Sequence, residues 1–277
     1  MKRISLFCAT ANPLEWEYPA REFIKYHEPY VDEIVVCDAM STDGWREYLS
    51  NVKKARVIDF KGEQLFSRFG QAGMQKSVAR AHCRYEYMIH MDIDTFLIGI
   101  DKVQDLIEQN PDVDDFPVRI LNFYGSWFKV NRKMEGSDPY QHTIMKNIPQ
   151  IGIGRSFPTS DGAEFVYIKN PETYKRCMGK SVYEGQYIRE CPLRVKNVPK
   201  PFSYDSHEFA LYHYGWCCRS WETINRKMNR QHSTQEKEWG KRPELIFKSC
   251  DDPCLVKFNG QHPKEVQHLV TDKWGFR

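Results

Sequence analysis

The first third of the chain predicts an α/β architecture, a mostly parallel twisted sheet with helices on both faces. Three observations carry that reading. Strand-like apolar runs and helix-length stretches alternate as β-α-β-α-β-α-β up to residue 97. The runs at 31–38 and 85–91 are rich in apolar residues, as strands covered on both faces are. The second and fourth runs end in carboxylates, Asp38 and Asp92, and strand ends of this kind form the edge where open α/β sheets take their ligands.

In chain order, residues 3–10 read as a buried strand stopped by Asn12-Pro13. A helix is expected over 15–28, offering Trp16, Ala20, Phe23, Ile24 and His27 to one face. The β-branched run 31–38 is the second strand, and Ser41-Thr42-Asp43-Gly44 is a turn-rich cap before a helix reaching about Ser50. A third strand at 55–60, a helix at 70–83 and the strand at 85–91 complete the alternation. Beyond Leu97 the pattern is less regular and predicts a mixed or antiparallel half. It has a helix at 101–109 and strand-like segments at 116–123, 126–131, 142–147 and 163–168, with loops such as Gly152-Ile153-Gly154 between them. A small helix at 171–180, a strand at 208–215, a charged helix at 219–239 and a final amphipathic helix finish the chain.

At 277 residues, with 41% hydrophobic and 14% aromatic side chains, the chain can build a packed core. No linker or repeat interrupts it, so one domain over 1–277 is expected, in two halves, 1–97 and 98–277, the second carrying the C-terminal helices. A mean hydropathy of −0.65, with no apolar run near the roughly 20 residues of a spanning helix, predicts no transmembrane segment. The N-terminal Met-Lys-Arg-Ile-Ser-Leu-Phe-Cys reads as a first strand and not a signal peptide. Nine cysteines, an odd number lying mostly in expected strands and helices, suit reduced thiols and a cytoplasmic setting. The net charge of +3 does not by itself call for a nucleic-acid partner.

Asp92-Ile93-Asp94 is the stretch with the most chemistry. Two carboxylates at a strand end suit a hard divalent cation, Mn²⁺ or Mg²⁺, that also meets a diphosphate; the plainer alternative is a solvated turn. His213 ends the run Phe209-Ala-Leu-Tyr-His before Gly215, and a neutral imidazole there suits Mn²⁺ as a third partner. A histidine bonded to backbone in the core is its alternative. Arg68 and Gln71 precede the helix that leads to Asp92, so they could approach a diphosphate or ribose; surface solvation is the plainer role for Arg68.

The ordered set of motifs gives a resemblance. The segment Asp32-Glu-Ile-Val-Val-Cys-Asp-Ala-Met-Ser-Thr-Asp-Gly44, the run Phe66–Leu97 with its Asp-x-Asp, and the first strand ending Thr-Ala-Asn resemble family-2-like glycosyltransferases of the GT-A fold. Tyr212-His-Tyr-Gly-Trp216 followed by Arg226-Lys227, Phe258-Asn-Gly-Gln-His-Pro263 and Ser160-Asp-Gly-Ala-Glu-Phe165 resemble a bacterial and phage branch of that family. The sequence departs from the family in reading Asp-Ala-Met-Ser after the second strand and Trp45 after Gly44.

The resemblance implies a Rossmann-like GT-A fold, with 1–97 as the nucleotide-sugar-binding half and 98–277 as the acceptor-binding half, and transfer of a sugar from a nucleotide diphosphate sugar, a UDP-sugar by preference, to an acceptor hydroxyl with inversion. It implies that Asp94 binds the metal, that Asp92 holds the ribose or reaches the metal through water, and that Asp38 contacts the base. Thr10, Asn12, Ser41 and Ile93 belong to the same donor site. An inverting reaction needs a carboxylate base; Asp161, in a Ser-Asp-Gly turn, is the first candidate and Glu164 the second, and capping of its own turn is the competing role for Asp161.

The acceptor is open between a saccharide, a glycan, a protein and hydroxymethylated DNA. The DNA reading rests on Arg219, Arg226, Lys227, Arg230, Lys237, Lys241 and Arg242; a solvated helix face, its charge offset by Glu222, Glu236 and Glu238, is the plainer explanation. A non-catalytic nucleotide-sugar-binding module and a two-carboxylate nuclease are the other classes, and the nuclease leaves the Asp38 motif unexplained. Cys250-x3-Cys254 with His262 and His268 has only a loose likeness to zinc-ligand spacing.

Overall fold

The structure, a computed structural model, describes residues 2–61, 71–131, 140–148, 151–155, 163–167, 208–220, 222–224, 226 and 255–270. Its first half is the expected α/β unit. Strands β1 (Ile4–Thr10), β2 (Glu33–Asp38), β3 (Ala55–Asp59) and β4 (Tyr87–His90) lie in the order β3-β2-β1-β4, all parallel. Every residue of β2 and β4 is buried, which is why these runs show no polar alternation. Helices α1 (Ala20–His27) and α2 (Trp45–Ser50) pack Phe23, Ile24, Trp45 and Leu49 with Leu6 and Cys8 on one face of the sheet. Helix α3 (Gln71–Ala81) places Ala79 against Phe7, Val35 and Met88 on the other.

The second half joins the same sheet with mixed polarity, as expected. Strand β6 (Asp115–Tyr124) and β8 (Tyr140–Lys146) are antiparallel to each other, and β8 is antiparallel to β4. Strand β5 (Thr95–Ile98) pairs antiparallel with β11 (Ala210–Trp216), which runs parallel to β6. Beyond β6 lie β7 (Lys129–Asn131) and β12 (Leu255–Lys257), and β9 (Ile151–Arg155) pairs with β10 (Ala163–Tyr167) as a separate ribbon. Helix α4 (Val103–Gln109) buries Val103, Leu106 and Ile107. Strands from either side of residue 97 thus share one hydrogen-bonded sheet.

Several local expectations need correction. The first helix begins at Ala20 and not at residue 15, because Pro13 and Pro19 bracket a turn in which Glu17 takes a positive φ of 54°. Thr95–Ile98 is a strand of its own, too short for periodicity to separate it from the one before. The glycines at 152 and 154 sit inside a strand, not a loop. Among the described residues the tail holds one short 3-10 turn, Gln267–Leu269. Of the expected charged helix, Glu222–Ile224 and Arg226 are helical; the rest, and the helix at 171–180, lie outside the described residues. Among the described residues no helix is long and apolar enough to cross a membrane.

Candidate active site

Sheet register brings the two ends of the chain together. Asp92-Ile93-Asp94-Thr95 is a tight turn closed by Thr95 N–H donating to the Asp92 carbonyl at 2.9 Å, and it leads from β4 directly into β5. On β11, Thr95 lies opposite His213, and the Tyr214 N–H donates to the Asp94 carbonyl at 2.8 Å. On β6, His213 lies opposite Asn122. The register therefore sets Asp94 Oδ2 3.6 Å from His213 Nε2, and His213 Nδ1 2.7 Å from Asn122 Oδ1. The Asn122 oxygen accepts from Nδ1–H, and the neutral form of that tautomer carries its lone pair on Nε2.

That arrangement fits a divalent cation. A carboxylate oxygen and an imidazole nitrogen face each other 3.6 Å apart, and with the ring neutral both are ligand atoms for a metal. A cation at roughly 2.1 Å from each ligand atom bridges such a span at an open angle. Gly215 clears the room: a Cβ there would stand 2.5 Å from Asp94 Oδ2 and 2.7 Å from His213 Nε2. The sheet register also shifts between His213 and Trp216, a local irregularity at this glycine. Asp94 Oδ2 meets a second group, Arg219 Nη2 at 3.4 Å. Arg219 is fully buried, and its guanidinium lies 3.7 Å from the centre of the Tyr18 ring.

Asp92 is placed differently. Its side chain is 44% exposed, and Oδ1 is 2.6 Å from Nζ of the buried Lys76 on α3. Partial burial works against the charged carboxylate, but Lys76 outweighs it and holds the acid below its ordinary range. The neighbouring Gln75 fixes the helix, its Nε2 donating to the carbonyls of Thr10 at 2.8 Å and Cys37 at 2.6 Å. Among the described residues no group of three His, Cys, Asp or Glu side chains converges. Of the expected trio Asp92, Asp94 and His213, the structure sets Asp94 and His213 face to face, while Asp92 meets Lys76.

The loops after β1 and β2 are braced to each other. Asp38 is fully buried and accepts from Thr10 Oγ1 at 2.8 Å, Ser41 N at 2.8 Å, Ser41 Oγ at 2.6 Å and Arg46 Nη1 at 3.1 Å. Ser41 Oγ accepts from Asn12 N at 2.7 Å, and Asn12 Oδ1 accepts from Thr42 N at 2.7 Å. Asp43 Oδ2 receives the Leu14 and Glu15 N–H groups. Through these bonds Asp38, the expected base contact, organises the loop that borders the site. Ile93 is buried beneath the turn.

Glu164 lies on a described strand, but its side chain, like that of Gln71, falls outside the described residues, as do Arg68 and Asp161 entirely. The basic surface expected for DNA is not a free face where it is described. Arg219 is buried against Asp94, and Arg226 stacks on Trp16 at 4.3 Å and pairs with Glu15 at 3.3 Å. His262 binds the Trp127 carbonyl through Nε2 at 2.8 Å and the Tyr214 hydroxyl through Nδ1 at 2.9 Å, and His268 pairs with Glu22. Those two histidines hold structure, while Cys250 and Cys254 lie outside the described residues. Lys76, Gln75, Asn122 and Arg219 escaped the sequence reading. Only Arg219 had a signal there, as one of many basic residues.

No family model matches the chain, and no curated protein does. Similar solved structures include S. aureus TarS, at 17% identity and a TM-score of 0.41 over 63% of this chain and 38% of that one. S. aureus TarS 1–349 in complex with UDP-GlcNAc gives 18%, 0.41, 69% and 62%. M. tuberculosis glucosyl-3-phosphoglycerate synthase, in complex with Mn²⁺, UDP and glucosyl-3-phosphoglycerate, gives 15%, 0.36, 54% and 58%. The chain spans less than two thirds of the length of these structures, and likeness at this level carries no functional weight.

Proposed function

We propose that the chain is a single-domain glycosyltransferase of the GT-A fold, dependent on a divalent cation, Mn²⁺ or Mg²⁺. It would move a sugar from a nucleotide diphosphate sugar, a UDP-sugar by preference, to an acceptor hydroxyl with inversion. The observation that carries the reading is the facing pair Asp94 Oδ2 and His213 Nε2, 3.6 Å apart and cleared by Gly215, at the edge where the parallel strands end. The braced Thr10–Asp38–Ser41 loops border that edge.

In this reading Asp94 and His213 hold the cation, with Asn122 fixing the imidazole. A divalent cation bound there neutralises the negative charge that builds on the leaving diphosphate. Asp92, tethered through one oxygen, offers the other to a donor hydroxyl. Thr10, Asn12, Ser41 and Ile93 shape the nucleoside end, with Arg68 and Gln71 toward the phosphates. Asp161, or Glu164 in its place, takes the proton of the acceptor hydroxyl as its oxygen attacks the anomeric carbon and the bond to the diphosphate breaks.

The test is release of UDP from UDP-sugars with and without Mn²⁺, in the presence of saccharide acceptors and, separately, hydroxymethylated DNA. Cation-dependent release that needs an acceptor supports the enzyme. Binding of UDP-sugar without release under any acceptor favours a binding module. Asp94→Ala is expected to lower turnover by roughly 10³-fold or more while the melting temperature stays near wild type. An Asp94→Ala protein of ordinary activity refutes the metal assignment.

A further inference from the structure

Asp92 and Asp94 stand one residue apart, yet each has its own buried cation: Lys76 on the first, Arg219 on the second. Lys76 reaches Asp92 from a different element, α3, and its side chain is only 5% exposed. Its position is not adjustable, because Gln75 beside it is bonded to the carbonyls that end β1 and lie next to Asp38 in β2. A buried lysine is costly unless paired, and a lone solvated aspartate at a turn needs no such partner. The geometry leaves one Asp92 oxygen bound and the rest of a half-exposed carboxylate toward solvent.

From this we infer that Lys76 is a positioning residue of the donor site. It fixes Asp92 through Oδ1, keeps that carboxylate from the cation held by Asp94 and His213, and aims its free oxygen at a hydroxyl of the donor. The inference rests on the nucleotide-sugar reading and adds Lys76 as the residue that enforces the division of labour between the two carboxylates. It also gives the helix ahead of the Asp-x-Asp stretch a functional part at Lys76 itself.

The experiment is a double-mutant cycle read by calorimetric binding of UDP, with Mn²⁺ and with chelator, on wild type, Lys76→Met, Asp92→Asn and the double variant. Lys76→Met is expected to weaken UDP binding by about tenfold or more, the scale of a hydrogen bond to a charged group. The double variant is expected to bind no more weakly than Asp92→Asn alone, since Lys76 acts only through Asp92. Lys76→Arg, which keeps the charge, is expected to stay within a few-fold of wild type. If removing Lys76 folds poorly, the double variant, which removes both charges together, and Lys76→Arg still read the coupling. Losses that multiply in the double variant, or wild-type binding by Lys76→Met, overturn the inference. Failure of the wild type to bind any nucleoside diphosphate overturns the glycosyltransferase reading itself, and is seen before any variant is made.

Discussion

Gly215 is the position at which a single methyl group tests the site. Its φ lies outside the left-handed region, so alanine meets no backbone obstacle. The obstacle is the pair in front of it. An alanine Cβ would stand 2.5 Å from Asp94 Oδ2 and 2.7 Å from His213 Nε2, about 0.9 Å and 0.7 Å short of ordinary contact at 3.4 Å. Asp94 is buried and in contact with Arg219, and His213 is fixed by Asn122, so neither retreats freely. Overpacking of this kind costs about 1–3 kcal/mol of stability, and a misplacement of about 1 Å at a catalytic group costs on the order of 10²-fold in rate. Gly215→Ala is therefore expected to fold, with a modestly lower melting temperature, and to lose Mn²⁺ affinity and turnover together. Mn²⁺ binding is measured by electron paramagnetic resonance and turnover by UDP release. A Gly215→Ala protein that binds Mn²⁺ as tightly as wild type would refute the idea that these two atoms hold the cation.

Two further perturbations probe the support around that pair. Asn122→Leu removes the acceptor that fixes the His213 tautomer with little change in volume; Mn²⁺ affinity should fall about 10–100-fold, as for other partners of ligating histidines, and unchanged affinity would remove Asn122 from the site. His27 is buried with Nδ1 donating to the Phe23 carbonyl at 2.8 Å and Nε2 accepting the Leu97 N–H at 3.2 Å, and burial pushes its pKa down to about 3. Its contribution is complete above pH 6.5 and declines below that, because the unfolded chain takes a proton that the folded one refuses. The decline is roughly 1.4 kcal/mol per unit. Between pH 6.5 and 5, urea unfolding of wild type should lose about 2 kcal/mol more than that of His27→Gln; parallel losses would place the acid sensitivity elsewhere.

The sequence made the parallel half legible because burial on both faces is a local property: Ile34-Val35-Val36-Cys37 can hardly be anything but an inner strand. It hid β5, since four residues carry no period. It hid the partners of the site for a deeper reason. That Thr95 pairs with His213 and His213 with Asn122 is a fact of register between distant strands, and nothing in the spacing of those residues specifies it. The motif after β2 was recognisable for what it does locally. Asp38, Ser41 and Asp43 are chosen for the bonds that lock one loop to the next, so the pattern advertises a braced loop more directly than it advertises a ligand contact.

The same distinction explains why an Asp-x-Asp spacing is weak by itself. Two carboxylates at a strand end have several ways to be neutralised, and only one of them is a metal. Asp92 takes a lysine, and Asp94 stands against both an arginine and an imidazole lone pair. With Lys76 and Arg219 in place, each carboxylate already faces a buried cation. A divalent ion entering beside Arg219 would meet like charge, which favours its arrival together with an anion such as a diphosphate. The imidazole pulls the other way. Arg219 can neutralise Asp94, but His213 Nε2 also stands 3.6 Å from Asp94 Oδ2, and in the proposed reading the cation lies between those two atoms. In the proposed reading the histidine from the far end of the chain, more than either aspartate, turns the edge into a cation site.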